Sequence, residues 1–306
     1  MGKAVTILMI GLLLAGLSWF AMARFAAQQV AHQITETRAL SAVAGPVTGF
    51  PLAFQLQLED VRLASTDQRQ TWRVPQVALH SPAWSPGRIA VDLSPEQTLV
   101  IWGRTHTITA EAATGQVHLG PDRQLRLGEV QLRAATLSPP LLASQLDGLS
   151  ARLTQDEGAQ YRLSAVADDL VPQSELVPAG RRDDRVQAAF EADLTFRDPL
   201  RAGEPAPALA ALHAARLQID WGALGATVTA DLDINAEGGL DGDLAVRMTD
   251  AGAWFELLVE AALLDRDAAQ LVLSMLPRAG TATLEFSVSD SVLLLGPFPL
   301  AELPRF

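Results

Sequence analysis

Residues 48–63, TGFPLAFQLQLEDVRL, alternate in polarity from the first leucine onward. Leu52, Phe54, Leu56 and Leu58 fall on one side of an extended chain. Ala53, Gln55, Gln57 and Glu59 fall on the other. The Gly49-Phe50-Pro51 turn precedes this strand. The same period of two returns at 71–81, 87–94, 97–103, 106–112, 115–120 and 124–137, with turns predicted at Gly103, Gly115 and Gly120-Pro121-Asp122. Pro75 inside TWRVPQVALHS predicts an edge or a bulge. Alternation resumes at 159–170, 185–196, 216–221, 226–235, 243–248, 282–288 and 291–296.

Helical patterns are fewer. Residues 24–41, 139–150 and 208–214 are read as helix, the second on ambiguous signals. Asp250 is placed to cap a helix carrying Trp254, Leu257, Leu258 and Ala261 on one face, and another runs from about 267 to Pro277. The fold class expected is β-rich α+β: an N-terminal transmembrane helix, then a long, curved, mostly antiparallel sheet with a few helices on one side. The expected organisation is an anchor or signal peptide at 1–24, a β-rich part at 25–197, a Pro- and Gly-rich linker at 198–207, and an α+β part at 208–306 sharing the same sheet.

Residues 4–23 carry no charge, and as a helix they would cross the ~30 Å hydrocarbon core of a bilayer. Two readings fit them. One is a retained signal-anchor; the other is a signal peptide cleaved after Ala21-Met22-Ala23. Both export the body, so the expected location is the bacterial inner membrane, single-pass, with the body in the periplasm. The stretch 251–276 holds Glu256, Glu260, Asp265, Arg266 and Asp267, a charge content costly in lipid.

Composition narrows the chemistry. A net charge of −12 repels phosphate backbones and argues against nucleic acid as a partner. The chain has no cysteine, which removes disulfides, thiolate catalysis, Cys-ligated zinc and lipoprotein acylation. His32, His80, His106, His118 and His213 stand in no metal-binding spacing, although His106 and His118 would approach each other across a hairpin. In DLDINAEGGLDGD (231–243), Asp231, Asp233 and Asn235 match the first ligands of a calcium loop. Ala236 and Gly242 then occupy the positions where such a loop needs Gly and Glu. The simpler reading is one polar strand face followed by a glycine hairpin. Asp168-Asp169 and Asp183-Asp184 read as solvated pairs, and no G-x-S-x-G elbow or phosphate loop is present. No catalytic, cofactor or metal residue is therefore assigned. The tryptophans read as core.

GFPLAFQLQLEDVRLA (49–64), Trp72-x-Val74-Pro75-x-Val77-x-Leu79, SPGRIAVDLSPEQTLVI (85–101) and LLLGPFPL (293–300) together resemble a family of bacterial proteins, the domain of unknown function 2125. The likeness implies an envelope protein with an N-terminal membrane segment and an exported β-rich body. It brings no activity with it. Long β-sheet proteins of bacterial envelopes include lipid-handling scaffolds of the AsmA type, a likeness of fold alone.

The expectation is thus a non-enzymatic envelope protein whose apolar face, with Leu52, Phe54, Leu56 and Leu58 as its candidate ligand-contacting residues, binds or guides a lipid-like molecule. The alternatives are a structural or assembly factor that binds another envelope protein and, third, an exported hydrolase.

Overall fold

The computed structural model describes residues 40–49, 51–64, 70–101, 103–139, 143–172, 184–204, 206–260, 266, 273–274, 281–303 and 305. The expected membrane segment at 4–23, the helix at 24–41 up to residue 39, Trp102 and most of the helix from 267 lie outside these residues.

The described chain is one antiparallel sheet of sixteen strands. In order they are β1 (Leu40–Ala44), β2 (Ala53–Ala64), β3 (Gln70–Pro82), β4 (Arg88–Leu93), β5 (Glu96–Ile101), β6 (Arg104–Leu119), β7 (Leu125–Ser138), β8 (Ala143–Gln155), β9 (Gln160–Pro172), β10 (Val186–Phe196), β11 (Leu209–Trp221), β12 (Leu224–Ile234), β13 (Leu240–Thr249), β14 (Thr281–Ser289), β15 (Val292–Leu295) and β16 (Phe298–Glu302). Strands pair with their sequence neighbours. The exception is where β4 and β5, interrupted at Ser94-Pro95, share the place between β3 and β6. Pro75 sits between the two halves of β3 that pair with them, where a missing N–H is tolerated. β1 and β16 do not pair with each other, so the sheet is open.

Among the described residues one helix of several turns packs on the sheet, α1 (Ala251–Glu260). Asp250 caps it, its carboxylate accepting from the Ala253 amide at 3.1 Å. Trp254, Phe255 and Leu257 press onto Met248, Leu224, Trp221 and Ala282. Trp221 and Trp254 meet edge to face, with ring centroids 6.4 Å apart.

Three expectations are corrected. Residues 208–214, read as helix, form the start of β11 and pair with β10 and β12. Residues 143–150 belong to β8. Gly115 is not a turn but lies in the middle of the single strand β6, where a Cβ would stand 2.9 Å from the Glu129 carbonyl oxygen. The 198–207 segment joins β10 to β11, which pair along their length. It also reaches across the ends of β8 and β9 to the start of β7, where the Leu125 amide donates to Leu200 O and the Ala202 amide to Arg123 O. The Tyr161 hydroxyl accepts from the Leu200 amide at 2.9 Å.

Bulges kink several strands. Asp60, Ala134, Asp169 and Ala214 have φ of 49°, 47°, 49° and 47°. The Ala214 amide donates to the Asp231 carboxylate at 2.8 Å, which holds the bulge in place. An alanine in the left-handed region costs ~1–3 kcal/mol of strain. Ala214→Gly should therefore raise stability by about 1 kcal/mol in urea unfolding, against the usual penalty for glycine in a strand. Gly242→Ala should do the reverse. At φ 146° its Cβ would stand 2.1 Å from Asp231 O, and the loss should exceed about 2 kcal/mol.

Candidate apolar binding face

Following the pairing register from strand to strand gives one row of side chains on one face of the sheet. It runs Leu56, Leu79, Val91, Gly115, Val130, Ala151, Ala165, Phe190, Leu217, Val228, Val246, Leu284. The next row on the same face runs Ala113, Leu132, Leu149, Ala167, Ala188, Ile219, Ala226, Met248, Ala282. Neither contains a charge or a hydrogen-bonding side chain. The first crosses twelve strands, about 50 Å at the usual strand spacing.

The opposite face carries a row of different character: Gln55, His80, Ala90, Gln116, Glu129, Arg152, Ser164, Glu191, Arg216, Thr229, Ala245, Glu285. Arg152 donates to Glu129 at 3.0 Å, and Glu191 stands opposite Arg216. The Gln131 amide, and then Arg152, hold the Glu129 carboxyl below its ordinary value. A depression of about 300 Å³ on this side is lined by polar side chains such as Thr114, Gln131, Arg133, Ser150 and Asp168 together with Ala112, Leu132 and Leu149.

The apolar face is unevenly covered. From Leu79 to Leu284 the long row is half-buried throughout. Individual buried side chains stand to either side of it, Val74, Ala110, Ala135 and Leu146 on one side and Tyr161 and Ala192 on the other, among neighbours that are mostly half-buried. The four clusters of buried side chains are each local, built from strands close together in the sheet, and none joins β2–β4 to β10–β14. A second sheet folded over the first would have produced such a joint core. Among the described residues, α1 covers the face over β11–β14, and β1 helps cover it at the start. Between them, over β6–β10, side chains such as Val130, Ala165 and Phe190 are half-buried and not fully covered.

The residues first read as the ligand face divide. Phe54, Leu56 and Leu58 do point to this side, but Leu56 and Leu58 are already packed against Val61, Val74 and Val77. Leu52 lies outside β2 and is 67% exposed. The open part of the face lies further along, in the small and branched residues of the middle strands. Only the pairing register, absent from any single strand's pattern, reveals it.

The polar candidates do not assemble into a reactive centre among the described residues. His106 and His118 lie on the same strand, β6, and not across a hairpin from each other. His106 is buried with Nδ1 2.7 Å from the Pro139 carbonyl. His213 sits exposed, 3.7 Å from both Asp231 and Asp233. Asp231 and Asp233 lie on β12, and Asn235 closes the turn to β13 by accepting from the Glu237 and Gly239 amides. No group of three His, Cys, Asp or Glu within ligating reach occurs among the described residues. The tryptophans are not all core: Trp84 is 76% exposed.

The profile of one bacterial family, described as an uncharacterized protein conserved in bacteria, matches residues 19–304. The chain belongs to that family, DUF2125. The match takes in every described strand, so the family assignment and the sixteen-stranded sheet cover the same stretch of chain. No match was found among curated proteins or among solved structures.

Loss of the Glu129 pair has a signed consequence. A carboxyl whose folded pKa lies below its unfolded one adds stability above the unfolded pKa, and that stability is lost as pH falls through the folded one. Glu129→Gln should therefore cost less than about 1 kcal/mol at neutral pH, and the difference from the parent protein should vanish in acid. Urea unfolding across a pH series measures both.

Proposed function

We propose that this member of DUF2125 is a non-enzymatic protein of the cell envelope, held to a membrane through residues 4–23, whose uncovered apolar face binds or guides the acyl chains of a lipid-like ligand. The observation that carries the reading is the row of twelve uncharged residues from Leu56 to Leu284, of which all but the buried Leu56 are half-buried. Exposed apolar area costs ~25 cal/mol per Å², so a band of this length in water is unfavourable unless something covers it. An acyl chain reaches ~15 Å, half the hydrocarbon thickness of a bilayer, so ~50 Å of band is long enough for several positions end to end. The absence of any polar side chain in the row suits a chain that slides and does not suit a headgroup fixed by hydrogen bonds.

The alternative is an assembly factor for another envelope protein. It is favoured by one feature: β16 ends the sheet, and all five of its residues are exposed. A strand edge of that kind can accept another strand.

Neighbouring residues on opposite faces separate the two. A photoreactive benzoylphenylalanine is placed in the full chain at Ala165 or Phe190 on the apolar face, and at Ser164 or Glu191 on the polar face. Illumination of living cells should give lipid adducts at 165 and 190 and none at 164 and 191, read by mass spectrometry. Equal labelling of both faces, or none, overturns the lipid reading. A single protein adduct at 165 and 190 in place of lipid establishes the alternative. Ala165→Lys should leave folding intact, because the site is half-open, and should lower recovered lipid by more than tenfold. Ser164→Lys should not change it.

A further inference from the structure

We propose that the β1 edge of the sheet docks onto a bilayer, with Trp84 and Leu52 entering the membrane interface. Most of the described chain keeps its large apolar side chains no more than about a third exposed. Of the seven exposed exceptions, Val43, Leu52, Leu63 and Trp84 belong to β1–β4 and the turns between them, Phe298 and Leu300 to β16, and Val166 alone to the middle of the sheet. Trp84 and Leu52 are 76% and 67% exposed, Trp84 the most exposed of the seven.

These two residues form one tip. The Ala83 amide donates to Leu52 O at 3.0 Å, which places Trp84's turn against the turn that carries Leu52. Each turn is fixed by its own hydrogen bond, Ala53 N to Gly49 O and Arg88 N to Ser85 O, so both side chains are held outward by structured backbone. In a chain of net charge −12, residues 42–54 and 81–87 contain no acidic or basic residue at all. The tip thus combines an indole, a leucine and several prolines with freedom from the acidic field that would repel a membrane surface. Tryptophan with an apolar body and one N–H donor partitions to such interfaces.

The route of the chain selects the bilayer as occupant. The uncharged stretch 4–23 is followed by sixteen residues and then by β1, which pairs with β2, the strand whose start holds the tip. Those sixteen residues reach ~55 Å when extended, more than the ~40 Å length of β2, and ~24 Å in the helix expected over 24–41, so docking at Trp84 on a membrane that holds 4–23 requires that helix to open. The other exposed edge, Phe298 and Leu300, has the charged Glu302 and Arg305 beside it. The inference rests on the proposed membrane attachment through residues 4–23, and it adds how lipid would meet the apolar face: from the β2 end of the row.

The cysteine-free chain allows a direct test. Single cysteines replace Leu52, Trp84, Ser150 or Phe298 in the full chain, each is labelled with a polarity-sensitive dye, and the protein is reconstituted with phosphatidylcholine vesicles carrying a lipid-attached quencher. All four sites but Ser150 are exposed apolar positions, and Ser150 is exposed on the polar face, so each variant should fold as the parent does by circular dichroism. The dye at 84 and 52 should shift to shorter wavelength and be quenched several-fold more than at 150 or 298. Flotation with the vesicles but equal quenching at 84 and 150 overturns the docking edge and leaves membrane attachment standing. Stronger quenching at 298 than at 84 overturns the choice of edge. Failure to float overturns docking and attachment together. Lipid adducts at residues 165 and 190 report on the apolar face separately, whichever of these results is obtained.

Discussion

Everything in this fold depends on register. A strand's side chains alternate with a period of two, so a slip of one residue in any one pairing would carry a strand's apolar residues to the polar face. Twelve strands in succession hold their phase, and the result is an uninterrupted apolar row backed by a row rich in Gln, Glu, Arg and Thr. Cross-strand pairs reinforce the phase on the polar side, where Glu129 meets Arg152 and Arg162 bridges Asp156 and Asp193. On the apolar side the row itself resists a slip, because displacement would set leucine and valine beside charged neighbours.

Register must also survive the kinks. Residues with positive φ in β2, β7, β9 and β11 bend those strands, and side-chain bonds pin some of them, as Asp231 does at Ala214. Prolines are placed where their missing donor does little harm. Pro75 falls between two pairing partners, and Pro95 lies in the break between β4 and β5. Buried side chains toward the two margins, such as Val74, Ala110 and Leu146 on one side and Tyr161 on the other, then give the sheet its packed interior, while the long row between them stays half-buried. A protein whose interior is built from the two margins of a face and not from its middle is arranged differently from an ordinary sandwich.

Much of this was legible in the sequence. The alternation in 52–63 and in most later segments reports strands directly, and Asp250 ahead of an apolar stripe reports the cap of α1. Other segments misled for physical reasons. LAALHAARL is rich in alanine and leucine, which favour helix in isolation, yet pairing on both sides draws it into β11. Gly115 has the composition of a turn but serves to let the Glu129 backbone come close. The extent of the uncovered face was not legible at all. Each strand's pattern shows an apolar side; whether that side is capped depends on where α1 and the 198–207 segment come to lie, and those are contacts between residues distant in sequence.

Nearly every strand hydrogen-bonds only with the strands before and after it in the chain, and among the described residues the sheet does not close. Such a molecule grows by apposition. A hairpin can add to a free edge as soon as it emerges from the machinery that makes the chain, without waiting for a distant segment to complete a core, so ordering can proceed from the N-terminus onward. The same arithmetic applies over evolution: inserting or removing a pair of strands lengthens or shortens the apolar row by about 10 Å while leaving both faces in phase. The span of the row is in this sense a count of hairpins.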